Sequence, residues 1–574
     1  MRMTNKIMQN NSLYNINNNK LLQDKLSTQM STQKKITRPS DDPVVAIRAL
    51  RLRTSVSELT QFYEKNAPDA ESWLEVTGKA LSTVATVLTS FGTEANKADN
   101  KEKGVEDLQI ILEQLKSLKD EFYSTANVDY AGRYVFTGYR TNTSLTFTET
   151  VEEQKKGYPK YEITEQTKIG AFDSINYTNN GGLDGINQNN YDDGKYDDIT
   201  EQKIQNGDIH RLRLSYDKLK SNADITDPAE AAKLAPKIEF IDGTEVNADG
   251  KEIPKVVGSV DPIETVSVND NPYQTMLDAN AANQEYEALK DDPNADPAKL
   301  QELQKKANAV IFVPETGEIL FSDAAYAQVE TKINGIKGTE TEISVTYTKD
   351  EWKKGDLRPE HYFACKGTTQ DEAGNDKTIN YNQEYLLGGK KKQAIEYDVG
   401  YNQKIQVNTT ADEIFTHDLD RDVDDLDRAL DNLAKINDSM TEMKKVLTAY
   451  EEKGLGEGNT DYDAAKNQLD AVKKAYDYQR ENVHNMFGKL ITKAQDYLGD
   501  TNVAITDNGT RSQRLDLIGN RLMDQKTTFQ TLQSENEDAD IAEVAIKLTS
   551  AELTYNSALM ATGKIMQTSL MNYI

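Results

Sequence analysis

From Ile541 onward one stripe runs at unbroken helical spacing: Ile541, Val544, Leu548, Ala551, Tyr555, Ala558, Thr562, Ile565 and Ser569 alternate in steps of three and four. A stripe of that period is buried only when a second helix faces it. The first forty residues carry a weaker counterpart, with Met3, Ile7, Tyr14 and Leu21 near one seam and Leu22, Leu26 and Met30 beside it. Leu559 and Leu570 enlarge the apolar surface of the last helix. Both ends of the chain thus read as helices in want of a partner, which points to a polymerising subunit before it points to an enzyme.

Charge supports a pairing of the two ends. Residues 1–38 hold seven Lys or Arg against one Asp, whereas residues 535–574 hold six acidic side chains against two basic ones. Across all 574 residues the balance is −28. A chain so acidic has no broad cationic surface with which to displace phosphate counterions, so nucleic acid is excluded as a partner. The single cysteine, Cys365, excludes an intramolecular disulfide and a cysteine-based zinc site. Arg2 and Lys6 are followed by asparagines in place of an apolar run, so export, if it occurs, is expected without a cleaved leader. No stretch reaches the roughly eighteen apolar residues of a membrane span, so membrane insertion is not expected.

Punctuation divides the rest. In Arg38-Pro39-Ser40-Asp41-Asp42-Pro43, Ser40 or Asp41 can accept from the first amides of a helix, and Pro43 stands where no amide hydrogen is needed. The helix that follows carries Leu52, Val56, Leu59, Tyr63, Trp73, Leu81, Val84 and Leu88, with Pro68 expected to kink or interrupt it. A second helix runs through Leu108, Ile111, Leu115 and Phe122. The β-formers and glycines of Ala131–Tyr139 then predict a hairpin. Residues 150–405 are mixed and polar, with strands expected at Ile319–Phe321, Ile343–Tyr347 and Ile395–Val407, and a helical stretch over 276–309 broken at Pro293 and Pro297. Helical period returns with Leu419, Leu426, Leu433, Met440 and Leu447 at sevens. After glycines 454, 456 and 458 come a second run from Tyr462 to Leu490 and a third from Leu515 to Leu532.

Helices from both ends enclose a β-rich middle, and neither set can bury its stripe alone, so they must pack together. The fold class is α+β: a long α-helical rod built from both N- and C-terminal segments, with a mainly β central insertion and assembly-dependent coiled-coil termini. The expected domains are 1–40 plus 536–574, a terminal coiled coil; 41–148 plus 395–535, a helical rod with a β-hairpin; and 149–394, the insertion of one or two domains. Ordering the terminal backbone costs more than burial of its stripe returns. Both termini are therefore expected to be mobile until assembly fills the seam.

Motifs for chemistry fail on inspection. Asp418, Asp420, Asp422 and Asp424 open like a calcium loop, but Val423 stands at position six and Ala429 at position twelve, where Gly and Glu belong. Acids at a helix start are the better account. The glycines at 454–458 follow no strand, and Asn180–Asp198, whose Asp184, Asp192, Asp193, Asp197 and Asp198 could hold calcium, reads better as an exposed polar loop. His210, His361, His417 and His484 are isolated. No catalytic, cofactor-binding or metal-binding residue is assigned, and no cofactor is expected.

The stretch Gln29-Met30-Ser31-Thr32-Gln33-Lys34-Lys35-Ile36-Thr37 with Arg38–Pro43 resembles the amino-terminal signature of the flagellin superfamily, and more closely its hook-associated protein 3 family than filament flagellins. Asn66–Leu74 with its tryptophan, Gly132–Tyr139, Tyr397–Val407 and Glu537–Glu543 add to the resemblance, which covers 1–148 and 395–574. Gln33 departs from it, since the family often has glycine there, and Pro68 is a second departure. The resemblance implies a non-enzymatic subunit, exported unfolded by the flagellar type III pathway, that forms a homo-oligomeric ring at the hook–filament junction of the extracellular bacterial flagellum. Its terminal helices would form the inner coiled-coil layers, through Met3, Ile7, Tyr14, Leu21, Leu26, Ile541, Val544, Leu548, Tyr555, Leu559, Ile565 and Leu570. Its implied partners are hook-associated protein 1, flagellin and an export chaperone on the C-terminal region. A filament flagellin is the alternative; one of another class is a flagellar surface subunit whose insertion binds or hydrolyses glycan.

Overall fold

A computed structural model describes residues 5–98, 103–149, 159–179, 186, 191, 199–220, 236–335, 342–370, 376–387 and 393–571, with backbone alone at 5, 335, 370 and 565–571. Met3 and most of Asn180–Asp198 fall outside these residues, as do the side chains of Ile565 and Leu570.

The chain opens with helices α1 (Asn5–Thr32), α2 (Pro43–Gln61), α3 (Ala67–Lys97) and α4 (Val105–Thr125). A small hairpin, β1 (Asp129–Tyr130) and β2 (Arg133–Tyr134), turns through Ala131 and Gly132, both at positive φ. The insertion contributes β3 (Lys160–Thr167), β4 (Phe172–Thr178), β5 (Asn206–Arg213), β6 (Lys237–Val246), β7 (Glu252–Ser259) and β8 (Glu264–Thr265). Next come α5 (Pro272–Leu289), α6 (Pro297–Ala307), β9 (Val310–Val313), β10 (Glu318–Phe321), α7 (Asp323–Gly335), β11 (Glu342–Lys349), β12 (Ala364–Gln370) and β13 (Asp376–Tyr381). A hairpin of β14 (Glu396–Gly400) and β15 (Gln403–Gln406) leads into α8 (Asp418–Glu452), α9 (Thr460–Glu537) and α10 (Ile541–Met571). The α+β class is as expected.

Two compact units result: residues 1–72, 396–407 and 510–574 form a terminal unit, and 73–395 with 408–509 form a central unit. The central unit holds two sheets. One has the order β13-β12-β3-β11-β6-β7 and is antiparallel at every described pairing. The other has the order β4-β5-β10-β9-β8, with β8 parallel to β9. Trp352 anchors the main core, its ring 4.8 Å from Phe147, 5.1 Å from Tyr216 and 5.4 Å from Tyr161.

In the same unit the helices of the two ends pack together. A Cβ built on Gly92 of α3 would stand 3.8 Å from Ala494 of α9, and Asn508 of α9 donates to Leu74 O of α3 at 2.9 Å. Lys119 of α4 reaches Asp420 of α8 at 2.6 Å, and the ring of Phe122 lies 5.0 Å from Phe415. Of the residues at sevens on α8, Leu419, Leu426 and Leu433 are fully buried, and Met440 and Leu447 are half-buried.

An ionic knot fastens α8 to β5 and β10. Arg211 forks Asp173 at 2.7 and 2.9 Å and reaches Glu318 at 2.8 Å and Asp425 at 2.7 Å. Arg213 meets Asp422 at 2.6 Å and Asp425 at 3.0 Å, Arg428 also meets Glu318 and Asp425, and Lys493 of α9 closes on Asp422 at 2.6 Å. Burial opposes the charge of Asp425, but Arg211, Arg213 and Arg428 outweigh it and hold the carboxyl far below the usual range.

Two local expectations are corrected. Ile395–Val407 is a hairpin, not a single strand, turning at Asn402 with φ 51°. The two helical runs expected after Gly458 are one helix of 78 residues, since no proline lies between Thr460 and Glu537. Next to Pro68 the α-helical run is interrupted, as expected: α2 ends at Gln61, one π turn, Phe62–Asn66, follows, and Ala67 N–H reaches back to Phe62 O before α3 continues.

Candidate assembly surface

Helix α1 lies against α10 through a narrow seam in which Leu26, Val544 and Ala551 are buried and Leu548 packs alongside. The stripe read from the sequence is the face α10 turns inward: Tyr555, Ala558 and Thr562 are half-buried after it, and Ile541 alone among its described side chains is exposed. On α1 the inward residues are Ser12, Ile16, Asn19, Gln23 and Leu26, three of them carrying a polar hydroxyl or amide. The seam expected there is turned outward. Ile7, Tyr14 and Leu21 are 48%, 67% and 68% exposed, and only Leu26 of the expected α1 set faces α10.

Two unpartnered heptad stripes follow from this geometry. Ile7, Tyr14 and Leu21 run down α1 at intervals of seven, and Ile546, Leu553 and Met560 do the same on α10. The second stripe was missed in the sequence because the stronger 3-4 pattern overlies it; the signal was the repeat at 546, 553 and 560. Leu559 is exposed beside it. Of the 26 large hydrophobic side chains exposed among the described residues, 19 belong to the terminal unit. Surface of this kind, contiguous and apolar, marks an interaction site. A groove of about 730 Å³ runs alongside, lined by Leu22, Gln29, Ala539, Val544 and Lys547.

An elbow holds the helical pair. Gln33 enters the left-handed region at φ 57°, and its carbonyl accepts from Ala539 N at 2.9 Å. Lys34 and Asp538 form an antiparallel bridge, and Lys35 N donates to Glu537 O at 2.7 Å. Arg53 of α2 grips the buried Glu537 with two hydrogen bonds of 2.7 and 2.5 Å, while Lys34 stands 3.7 Å from Glu537 and 2.5 Å from Asp538. Burial works against the Glu537 charge, yet Arg53 and Lys34 hold its carboxyl below the usual range. The hydrogen bond from Lys34 does the same for Asp538.

The turn into α2 is built as its sequence requires, with one change of residue. Asp42 is the cap, its Oδ1 accepting from Val44 N at 3.0 Å and Val45 N at 3.2 Å. Ser40 and Asp41, the expected caps, are not. Asp41 instead folds the preceding turn by accepting from Arg38 N at 3.0 Å, and that hydrogen bond lowers its carboxyl from the usual range. Pro43 opens the helix, and Arg38, Pro39 and Ser40 are exposed.

The motifs weighed for chemistry have structural partners. Asp418 and Asp420 occupy the first turn of α8, as acids at a helix start should, and Asp422 belongs to the ionic knot. Gly454 and Gly458 turn the chain between α8 and α9 at positive φ. His210 stacks on Tyr326 at 4.1 Å, and burial lowers His361 to about 4. Among the described residues no helix is long and apolar enough to cross a membrane.

Residues 3–141 match the family of the bacterial flagellin N-terminal helical region. Flagellar hook-associated protein 3 of Salmonella typhimurium is 30% identical over 145 residues, 25% of this chain and 45% of that protein. The protein of the same name from Escherichia coli is 28% identical over 190 residues, 33% of this chain and 59% of that one. The chain thus spans about half the length of the curated relatives it matches. A crystal structure of flagellar hook associated protein-3 from Legionella pneumophila aligns with 84% of this chain and 98% of that one, at 10% identity and a TM-score of 0.26.

Proposed function

We propose that this chain, whose residues 3–141 carry the helical region of the flagellin family, is a non-enzymatic structural subunit of the bacterial flagellum that joins hook to filament. The observation that carries the reading is the pair of outward heptad stripes, Ile7-Tyr14-Leu21 and Ile546-Leu553-Met560, on helices already paired with each other. Such stripes need further helices, and the same ends of neighbouring copies supply them. In this reading the chain is exported unfolded, forms a short ring, meets hook-associated protein 1 on one side and flagellin on the other, and is escorted before export by a chaperone. The terminal helices become fully protected only in the ring.

Deleting the gene tests the junction role. Cells should keep their hooks, lose their filaments and release flagellin into the medium. Normal filaments in the deletion strain would overturn the reading, and loss of the secreted flagellin itself would identify a filament subunit instead. In complementation, a Leu21→Asp, Leu553→Asp double variant should be secreted and folded yet fail to restore filaments. Amide exchange of a verified monomer should be fast along α1 and α10, and slow exchange there would contradict ordering on assembly.

A further inference from the structure

Helix α2 turns one face inward and leaves a second, apolar one in solvent. Ala46, Ala49 and Leu59 are buried, whereas Val44, Ile47 and Leu50 on the other side are 72%, 55% and 61% exposed. Steps of three set these side chains along one ridge about 9 Å long. Arg48 and Arg51 flank the ridge, both exposed, and neither has a carboxylate partner among the described residues. Arg53 differs, being held by Glu537.

The last part of α9, in the same unit, carries a complement. Leu517 is 72% exposed and Met523 45%, and they stand six residues apart as Val44 and Leu50 do, with Asn520 at the midpoint where α2 has Ile47. Asp516 and Asp524 adjoin them, both exposed and without a cationic partner among the described residues. The cations of that stretch are directed elsewhere: Arg521 reaches Gln403, Lys526 reaches Glu64, and Arg514 lies across the helix from Asp516. Both faces of one copy are in solvent, so neither covers the other.

We propose that α2 of one copy docks on residues 516–524 of α9 in a second copy. The apolar ridges, equal in spacing, pack side by side, and Arg48 and Arg51 meet Asp516 and Asp524. Charge selects the occupant: a cationic apolar face fits an anionic apolar one, and this chain carries both. Two different surfaces that complement each other make a head-to-tail contact, which repeats from copy to copy instead of closing a two-fold dimer. The inference rests on the reading that copies of this chain assemble, and it adds a contact separate from the outward stripes of α1 and α10.

Disulfide trapping in hook–filament preparations, from cells that carry the full-length variants, tests it. Ile47→Cys with Asn520→Cys on one chain should give a ladder of covalent multimers under mild oxidant. Either substitution alone should give none, because the native Cys365 is buried. Arg48→Glu with Arg51→Glu should leave secretion and the melting curve unchanged, since both side chains are exposed, and should cut filament number about tenfold or more. Adding Asp516→Arg and Asp524→Arg to that variant should restore filaments. Absence of the ladder, dimers from Ile47→Cys alone, full filament number in the glutamate variant, or no rescue by the reversed pair would each overturn the proposal. The junction role fails separately: normal filaments in the deletion strain overturn it, whereas the ladder reads this contact in any assembly of the chain.

Discussion

The terminal and central units bury apolar side chains to very different degrees. In the central unit Trp352, Phe240, Phe312 and Phe321 are closed off from solvent, and the long helices α8 and α9 turn Met443, Val472 and Ala475 wholly inward. The paired terminal helices bury Leu26, Val544 and Ala551 in one seam and leave stripes of comparable size exposed. The difference separates a unit that encloses its large apolar side chains from one that leaves many of its own in solvent. Polar interactions differ in extent: a buried knot of several arginines and carboxylates in the centre, and at the elbow one buried carboxylate, Glu537, held by the more exposed Arg53 and Lys34.

The comparison is broken most severely at the knot. Arg211→Ala leaves Glu318 and Asp425 buried without their main counter-charge, a change that costs about 3–5 kcal/mol. A thermal melt should show the central transition falling sharply. A loss no larger than that of an exposed ion pair, about 1 kcal/mol or less, would mean the knot is solvated and the contrast with the elbow overstated.

The same truncation made in each unit sharpens the contrast. Leu433→Ala removes a side chain wholly enclosed in α8 and should cost about 2–5 kcal/mol. Leu26→Ala, in a seam only a few side chains wide and rimmed by solvent, should cost about 1–2 kcal/mol in the monomer. Chemical denaturation of the two variants measures both. Equal losses would show that the terminal pair is as self-sufficient as the centre.

Much of the contrast was legible in the sequence, and what was not has a physical cause. The heptad from Leu419 and the stripe from Ile541 identified buried faces correctly, because each alternates with charged or polar residues around the helix. Ile7, Tyr14 and Leu21 share one face of α1, as their spacing predicts, but periodicity tells which residues share a face and not which neighbour covers it. The knot escaped for a similar reason. Arg211 and Arg213 share a strand face at two residues apart, and Asp422 and Asp425 share a helix face at three apart, but the pairing joins positions about two hundred residues distant. Continuity of α9 was hidden by the polar run around Asn502 and Asn508 and by Gly499 and Gly509, none of which stops a helix that is packed along its length.

Acid should act in opposite directions on the region of Asp356 and Asp424 in the centre and on the elbow. In the centre, burial and the neighbouring Asp420 and Asp217 raise Asp424 to about 6, against Lys119 and Arg421, and burial raises Asp356 to about 6 against Lys349. A folded-state pKa above the unfolded value of 3.8 means that the charged forms destabilise the fold above pH 6. This strain, about 3 kcal/mol for each group, is relieved as pH falls from 7 towards 4. Glu537 and Asp538 at the elbow are depressed, so their contribution is present above the ordinary carboxylate range and is lost as pH falls through their folded values. Amide exchange followed from pH 7 to pH 3 should show tightening around Asp356 and Asp424, loosening around His361, whose depressed pKa makes the unfolded chain the better proton binder between pH 6.5 and 4, and loosening of the elbow last. Parallel behaviour of both regions would refute the assignment.

The smallest expected effect isolates the elbow's backbone from its charges. Gln33 holds φ 57°, a region that costs an L-residue with a Cβ roughly 1–2 kcal/mol and costs glycine nothing. Gln33→Gly removes that strain, but the freer unfolded chain takes back part of the gain, so the net stabilisation should be under about 1 kcal/mol. Gln33→Val should lose stability instead, since a β-branched residue is least tolerant of positive φ. Local amide exchange at Lys35 and Ala539, whose N–H groups bond across the elbow, reads the change directly. Slower exchange in the glycine variant and faster exchange in the valine variant would establish that the turn, and not Arg53 and Lys34 alone, sets the stability of the elbow. Equal exchange in all three would assign it entirely to the ion pairs.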